Sequence, residues 1–276
     1  MRIGITGATG VLGRRIAEQM IARGHEVIPF CGDIRDRHAI ATWVAPLESV
    51  IHCAAIVPLD RVHADLSDAI HVNVVGTVNV AQAVAHHGAC GFVYISSSHV
   101  YAPSLMPLGE EDLTNPLSHY GQTKLQGETW VKALLPNALT IRVFSFFDTK
   151  QAASFLVPAL AQRIKSSTRG AILTLRGAQS RRDIADAFWI AHACAGLVEK
   201  RASGVVNCGT GQGYLVREIS QQLSIALGRS DIVWQDFPDD SVNALVADTT
   251  KLASILGEIP KYDLLQSLAA YIVALR

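Results

Sequence analysis

Met1-Arg2-Ile3-Gly4-Ile5-Thr6-Gly7-Ala8-Thr9-Gly10-Val11-Leu12-Gly13 opens the chain, and its reading decides the fold. The first six residues form a short apolar run suited to a buried strand, and from about 11 to 23 the pattern turns helical. The glycines between let the backbone turn tightly, approach a pyrophosphate and pack helix against strand. The helix start offers unpaired N–H groups to phosphates. A glycine cluster alone can be a simple turn, but strand, glycine loop and helix in immediate succession predict a dinucleotide site. Gly7, Thr9, Gly10, Val11, Leu12 and Gly13 are the expected phosphate-loop contacts.

Outward from this stretch, strand-like runs recur at 3–6, 26–30, 50–53, 92–96 and 139–143, separated by segments of helical periodicity such as 66–86. Such alternation predicts right-handed crossovers and a parallel sheet covered on both faces, an α/β doubly wound Rossmann-type fold. After about residue 142 the pattern changes to a helix at 152–166, a strand at 172–175, a helix at 184–199 and mixed pieces. We expect residues 1–145 to form the dinucleotide-binding domain and 146–276 mainly a small C-terminal substrate lobe interleaved with the main sheet.

At 276 residues and 49% hydrophobic content the chain can bury a large core. Lys+Arg and Asp+Glu are both 24, giving a formal net charge of zero, and no basic block points to nucleic acid. Cys31, Cys53, Cys90, Cys194 and Cys208 are scattered without metal-type pairing, so reduced thiols and no metal site are expected. With a strand at the very start in place of a leader, a cytoplasmic protein with no membrane partner is the expectation.

The run Ser118-His119-Tyr120-Gly121-Gln122-Thr123-Lys124-Leu125-Gln126-Gly127-Glu128 carries the chemistry. Tyr120 and Lys124 stand four apart, one helical turn, so the ammonium can sit beside the phenol. A positive charge there would favour phenolate, and a tuned tyrosine can exchange a proton with a substrate oxygen. Ser96, Ser97 and Ser98 end a predicted strand at the carboxyl edge of the sheet, where open α/β folds bind ligand.

With His52-Cys53-Ala54-Ala55, Asn73-Val74-Val75-Gly76-Thr77-Val78-Asn79 and Tyr94-Ile95-Ser96-Ser97-Ser98-His99-Val100-Tyr101, these motifs resemble the extended short-chain dehydrogenase/reductase family. That group includes epimerases and dehydratases of nucleotide sugars. Val206-Asn207-Cys208-Gly209-Thr210-Gly211 and Ala247-Asp248-Thr249-Thr250-Lys251-Leu252 extend the resemblance into the second half. It implies an NAD(P)-dependent oxidoreductase or epimerase acting on a keto group of a nucleotide-linked sugar. In layout the chain is similar to reductases of nucleotide-linked 4-keto-6-deoxy sugars, because one strand usual in the family is missing after Asp33.

The resemblance assigns roles by position. Ser97 would hold the reacting oxygen, Tyr120 would move the proton, and Lys124 would grip the nicotinamide ribose and lower the Tyr120 pKa. Asn73 would brace the site or simply pack inside its helix. His99 stands where other members carry a proton-abstracting base, and it is either such a base or a polar wall of the pocket. Ala54 and Ala55 belong with the cofactor, as do Asp33 and Ile34, the first meeting the adenine. Cys31 occupies the place of the usual ribose-binding acid, which gives NAD(P) with a slight lean to NADPH. Arg14, Arg15 and Arg35 could meet a 2′-phosphate or be ordinary surface charges.

Two departures stand in the substrate half. The usual Arg-x-Phe-Asn-x-x-Gly appears as Arg142-Val143-Phe144-Ser145-Phe146-Phe147-Asp148, and a second run is shortened to Arg181-Arg182-Asp183-Ile184-Ala185-Asp186. Either Arg181 or Arg182 could still pair with a diphosphate. Ser154-Phe155-Leu156-Val157 stands where related reductases cover the nucleotide. A reductase of a free small carbonyl compound and a non-catalytic cofactor-sensing protein are the competing readings. The family also implies a homodimer through the helices at 66–86 and 116–133, with Ile70, Val74, Val78, Ala81, Ala85, Leu117, Leu125 and Trp130 as contacts.

Overall fold

The computed structural model describes every residue except 89–90, 239–241, 260 and 276; Cys90 lies outside the described residues. The chain begins with β1 (Arg2–Thr6), α1 (Val11–Ala22), β2 (Glu26–Phe30), α2 (Arg37–Val44) and β3 (Ser49–His52). Next come α3 (Leu59–Ala64), α4 (Leu66–Ile70), a π-helical turn over His71–Gly76, α5 (Thr77–His87) and β4 (Gly91–Ser97). A 3₁₀ turn (Ser98–Val100) and a loop lead to α6 (His119–Leu134), β5 (Leu139–Val143) and β6 (Ser145–Phe147).

The second half contributes α7 (Leu156–Ser166), β7 (Ile172–Leu175), β8 (Arg181–Asp186), α8 (Ala187–Glu199), β9 (Gly204–Cys208) and β10 (Gly213–Leu215). It ends with α9 (Val216–Ala226), β11 (Val233–Asp236), β12 (Ala244–Leu245), α10 (Thr250–Leu256) and α11 (Leu264–Ala274).

The main sheet has the order β2-β1-β3-β4-β5-β9, and all its pairings are parallel. Its strands read as near-continuous apolar runs because both faces are covered. Ile3, Ile5, Ile51, Val93 and Ile95 face the cluster shared with α1 and α8, while Val50, Phe92 and Tyr94 face the cluster of α2 and α5. The fold is the doubly wound Rossmann-type sheet that the alternating pattern predicts. Its last strand, β9, comes from beyond residue 200, so the chain returns to the main sheet after building part of the lobe.

In that lobe β8 pairs with β10, β12 and β6, and β7 pairs with β11. Asp183 on β8 holds these pieces to the sheet. Its buried carboxylate accepts hydrogen bonds from Thr210 N–H (2.9 Å), Thr210 Oγ1 (2.7 Å), Gly211 N–H (2.9 Å) and Ala247 N–H (3.2 Å). The two C-terminal motifs therefore meet on one side chain. Burial raises the Asp183 pKa, and the hydrogen bonds pull it back.

Three helix boundaries differ from the sequence expectation. The helix expected at 152–166 begins at Leu156, since Phe155 is extended (φ −87°, ψ 155°). The helix expected at 184–199 begins at Ala187. Residues 184–186 finish β8, and Asp186 caps the helix by accepting from Trp189 N–H at 2.9 Å.

The 66–86 helix is interrupted by the π turn, whose extra residue rotates the downstream face. The stripe expected to face a partner is thereby split. Val74 and Ala81 are buried within the chain, whereas Ile70 and Ala85 are exposed.

Asp183→Asn should destabilise the protein by about 2–4 kcal/mol, because an amide places donors against backbone N–H groups that the carboxylate satisfied. Urea unfolding of both proteins measures this, and equal midpoints at unchanged m-value would overturn the clamp.

Candidate active site

The loop after β1 is shaped by crowding. Gly7 adopts φ +66°, and a Cβ there would come within 2.7 Å of Ala54 N, while one on Gly13 would collide with the Gly7 carbonyl. Only hydrogen fits at either place. Gly10 begins α1 with no side-chain cap and no acid in the first turn, so the first N–H groups of the helix face outward free of side-chain partners. That cradle fits a dinucleotide pyrophosphate. Thr9 and Gly10 are exposed and Val11 is half-buried, whereas the Leu12 side chain lies in the core and can offer only its backbone.

The sheet's carboxyl edge brings Ser97, His99, Tyr120 and Lys124 together with the cradle. Tyr120 begins α6, buried, and packs edge-on against His99 with ring centroids 5.8 Å apart. Burial pushes its phenol up to about 12, and a hydrogen bond from the Ser97 side draws it down. The expected acidification by Lys124 is thus not what the structure shows. The Lys124 ammonium instead lies 4.2 Å from the Tyr94 ring centroid, and burial lowers it to about 8, with Cys53 and Glu128 opposing. The physical reason is that desolvation acts on both groups and favours both neutral forms.

His99 is held below its usual pKa by burial and by the positive charge of Arg182, so it is neutral at pH 7. Its backbone N–H donates to Ser97 Oγ at 3.2 Å.

Asn73, in the π turn, does more than pack. Its Oδ1 accepts from Ile56 N–H (2.7 Å), and its Nδ2 donates to Ile56 O (2.9 Å) and Thr123 Oγ1 (3.0 Å). Thr123 Oγ1 in turn donates to Tyr120 O at 2.8 Å. A π turn at such a place re-aims one side chain without ending the helix.

At the adenosine end, Cys31 is exposed at the tip of β2. Asp33 accepts from Arg35 at 2.6 Å, and Arg35 also reaches Asp68 at 2.9 Å. The Ile34 side chain is buried in the core, leaving only its backbone to the cofactor region, and its carbonyl accepts from Asn79 Nδ2 at 3.2 Å. Ala54 and Ala55 are half-buried beside the glycine loop, and Ala54 N–H donates to Thr6 Oγ1 at 3.2 Å. Arg14 and Arg15 both bind Asp148, at 3.2 and 2.7 Å, and both also meet Glu18. All three arginines weighed for a 2′-phosphate therefore already have carboxylate partners.

Asp148, which replaces the family's glycine, is a buried carboxylate tying the end of β6 to α1. Arg142 is committed elsewhere. It forms a buried pair with Glu128 at 2.8 Å, while Ser96 Oγ donates to the same carboxylate. Arg181 is exposed and donates to Gly213 O at 3.0 Å. Arg182 donates to Asn243 Oδ1 at 2.8 Å, and no carboxylate pairs with it among the described residues. Farther out, Leu156, Leu160, Arg163, Arg176, Val216 and Phe237 line a groove of about 510 Å³, with Arg176 stacked 4.2 Å over the Phe237 ring.

The sequence reading gave His52 no role beyond its place in the His52-Cys53-Ala54-Ala55 motif. It is fully buried at the end of β3, with Nδ1 2.6 Å from Thr6 Oγ1 and Nε2 2.9 Å from Thr77 Oγ1. Burial, aided by Lys124, holds it down at about 3. The signal available was a histidine in an otherwise apolar strand ending next to the glycine loop.

Residues 1–205 match the family described as RmlD substrate binding domain. The chain is 39% identical over 146 residues to dTDP-4-dehydrorhamnose reductase of Mycolicibacterium smegmatis, covering 51% of this chain and 44% of that protein. It is 30% identical over 181 residues to methionine adenosyltransferase 2 subunit beta of Xenopus tropicalis, covering 60% and 54%. The matches thus span about half the length of these curated relatives. A dTDP-4-dehydrorhamnose reductase ortholog of Clostridium acetobutylicum superposes with a TM-score of 0.87 at 25% identity, covering 100% of this chain and 99% of that one.

His52 generates a pH signature. Its native pKa lies below the unfolded value near 6.5, so above that pH neither state binds the proton. As pH falls from 6.5 towards 3 only the unfolded state does, and stability is lost. Between pH 7 and pH 5 the wild type should lose about 2 kcal/mol more than His52→Gln. Equal losses in urea titrations at the two pH values would show that His52 ionises freely in the folded protein.

Proposed function

The chain belongs to the RmlD substrate-binding domain family, within the extended short-chain dehydrogenases/reductases, and we propose that it is an NAD(P)-dependent reductase of a keto group on a nucleotide-linked sugar. The observation that carries this reading is the buried Tyr120 phenol, set beside His99 at the carboxyl edge of the sheet with Ser97 and Lys124. A phenol held at about 12 is a proton donor at neutral pH and a poor base.

The nicotinamide dinucleotide, when bound, supplies the hydride to the carbonyl carbon. Ser97 and Tyr120 hold the carbonyl oxygen, and Tyr120 Oη gives its proton to that oxygen as the alcohol forms. Gly7, Thr9, Gly10, Val11 and Gly13 hold the pyrophosphate, with Leu12 contributing its backbone. Lys124 holds the nicotinamide ribose, while Ala54 and Ala55 flank the cofactor. Neutral His99 beside Tyr120 favours a second reading, in which it removes a proton from the sugar ring and the enzyme epimerises.

For the substrate, Arg182, with which no carboxylate pairs among the described residues, lies close enough to His99 for its charge to act there, and it is suited to the diphosphate. The groove that begins at Leu156 takes the nucleotide. At the adenosine end, Cys31 leaves NADPH and NADH both acceptable, with a lean to NADPH. Trp130 on α6, Leu117 before it and Ile70 on α4 are exposed, which supports a homodimer closing through these segments. No helix among the described residues is long and apolar enough to cross a membrane, in keeping with a cytoplasmic enzyme.

Tyr120→Phe should lower kcat with a nucleotide-linked keto sugar by about a hundredfold or more, and leave dinucleotide affinity unchanged. Turnover that survived the change would refute the assignment, and a protein that binds dinucleotide but turns over no such sugar would be a sensor. Cys31→Asp should shift preference towards NADH, because a carboxylate accepts from ribose hydroxyls and repels a 2′-phosphate. Titrating both cofactors into both proteins tests this; an already strong wild-type preference for NADH would assign the ribose to Asp33.

A further inference from the structure

Between Ala54, beside the glycine loop, and Tyr120 runs a chain of hydrogen bonds joined in its middle by the covalent frame of Asn73, and its proton directions can be assigned one by one. Thr77 Oγ1 lies 2.7 Å from the Asn73 carbonyl, which can only accept, so the single Thr77 proton points there. His52 Nε2, 2.9 Å from the same oxygen, must then carry a hydrogen and donate it. Burial and the Lys124 charge on α6 oppose a second proton on the ring, which stacks against Tyr94 (5.8 Å) and Phe92 (6.2 Å) of β4. Nδ1 is therefore a bare acceptor, and Thr6 Oγ1 donates to it across 2.6 Å while accepting from Ala54 N–H. On the far side Asn73 grips both backbone groups of Ile56 and, through Thr123, the carbonyl of Tyr120.

We propose that His52, locked as its Nε2–H tautomer, is a positioning residue that couples the cofactor end of the site, at Thr6 and Ala54, to the Asn73 clamp that sets Tyr120. The tautomer follows from the hydrogen-bond geometry together with the burial of the ring; the consequence for turnover rests on the reductase reading above. A histidine suits this place because one rigid neutral ring offers a donor nitrogen and an acceptor nitrogen on separate edges, which a single hydroxyl at the end of β3 cannot do.

The experiment uses full-length protein labelled with ¹⁵N-histidine, together with Thr77→Val, which removes the hydroxyl while keeping the shape, and Thr77→Ser, which restores it. In the wild type, His52 Nε2 should show a directly bonded proton and Nδ1 the shift of an unprotonated nitrogen, unchanged from about pH 5.5 to 8.5. Thr77→Val should shift the Nε2–H resonance or move the proton to Nδ1, and Thr77→Ser should return the wild-type spectrum. These spectra are read without substrate, so they stand or fall separately from the reductase reading.

With a keto-sugar substrate, Thr77→Val should lower kcat about tenfold while KM for the dinucleotide changes by less than about threefold, and Thr77→Ser should recover most of the loss. A wild-type spectrum of an imidazolium or of the Nδ1–H tautomer overturns the assignment. A correct spectrum combined with undiminished kcat in Thr77→Val overturns the positioning role.

Discussion

The contact between Thr6 and His52, 2.6 Å long and fully buried, joins the ends of β1 and β3, and the rest of the site depends on it. A parallel sheet exposes its loops at the carboxyl edge, where polar side chains must be satisfied in a space closed on both faces by helices. Thr6 and His52 satisfy each other and, through Ala54 N–H and Thr77, fix where the loops after β1 and β3 lie. With those loops fixed, the glycine cradle and the start of α6 face each other across the same edge.

Buried charges do the same work in both halves of the chain. Glu128, two turns beyond Tyr120 on α6, pairs with Arg142 on β5 and accepts from Ser96 on β4, so the helix carrying the tyrosine is pinned to two strands. Breaking such a pair on one side leaves a desolvated charge, which is why these positions tolerate little change. Asp183 serves the second half in the same manner, gathering backbone donors from the segments after β9 and β12. Asp148 adds a bond between the end of β6 and the first helix. The Asp that stands for the usual Gly at 148 thus has partners of its own.

Much of this was legible in the residue order. The strand, glycine loop and helix of the first two dozen residues, the apolar runs of the inner strands and the Tyr120–Lys124 spacing are local patterns, and local patterns carry periodicity and turn chemistry. The boundaries at Leu156 and Ala187 were not, because a cap and a strand pairing decided them. The split of the 66–86 helix was not either, since a π turn leaves no mark in an apolar periodicity.

By itself, then, the sequence determined the doubly wound sheet, the phosphate-binding loop and which residues are capable of the chemistry. Only the tertiary structure decided their state. Desolvation raises Tyr120 and lowers Lys124 and His99, reversing the direction that a lysine one turn away implies, because burial depends on neighbours from β3, β4 and the π turn rather than on spacing along α6. It also decided that Arg14 and Arg15 reach Asp148 and that Arg35 reaches Asp68, while no carboxylate among the described residues pairs with Arg182, since a carboxylate 33 or 134 residues away along the chain leaves no trace beside the arginine it will meet.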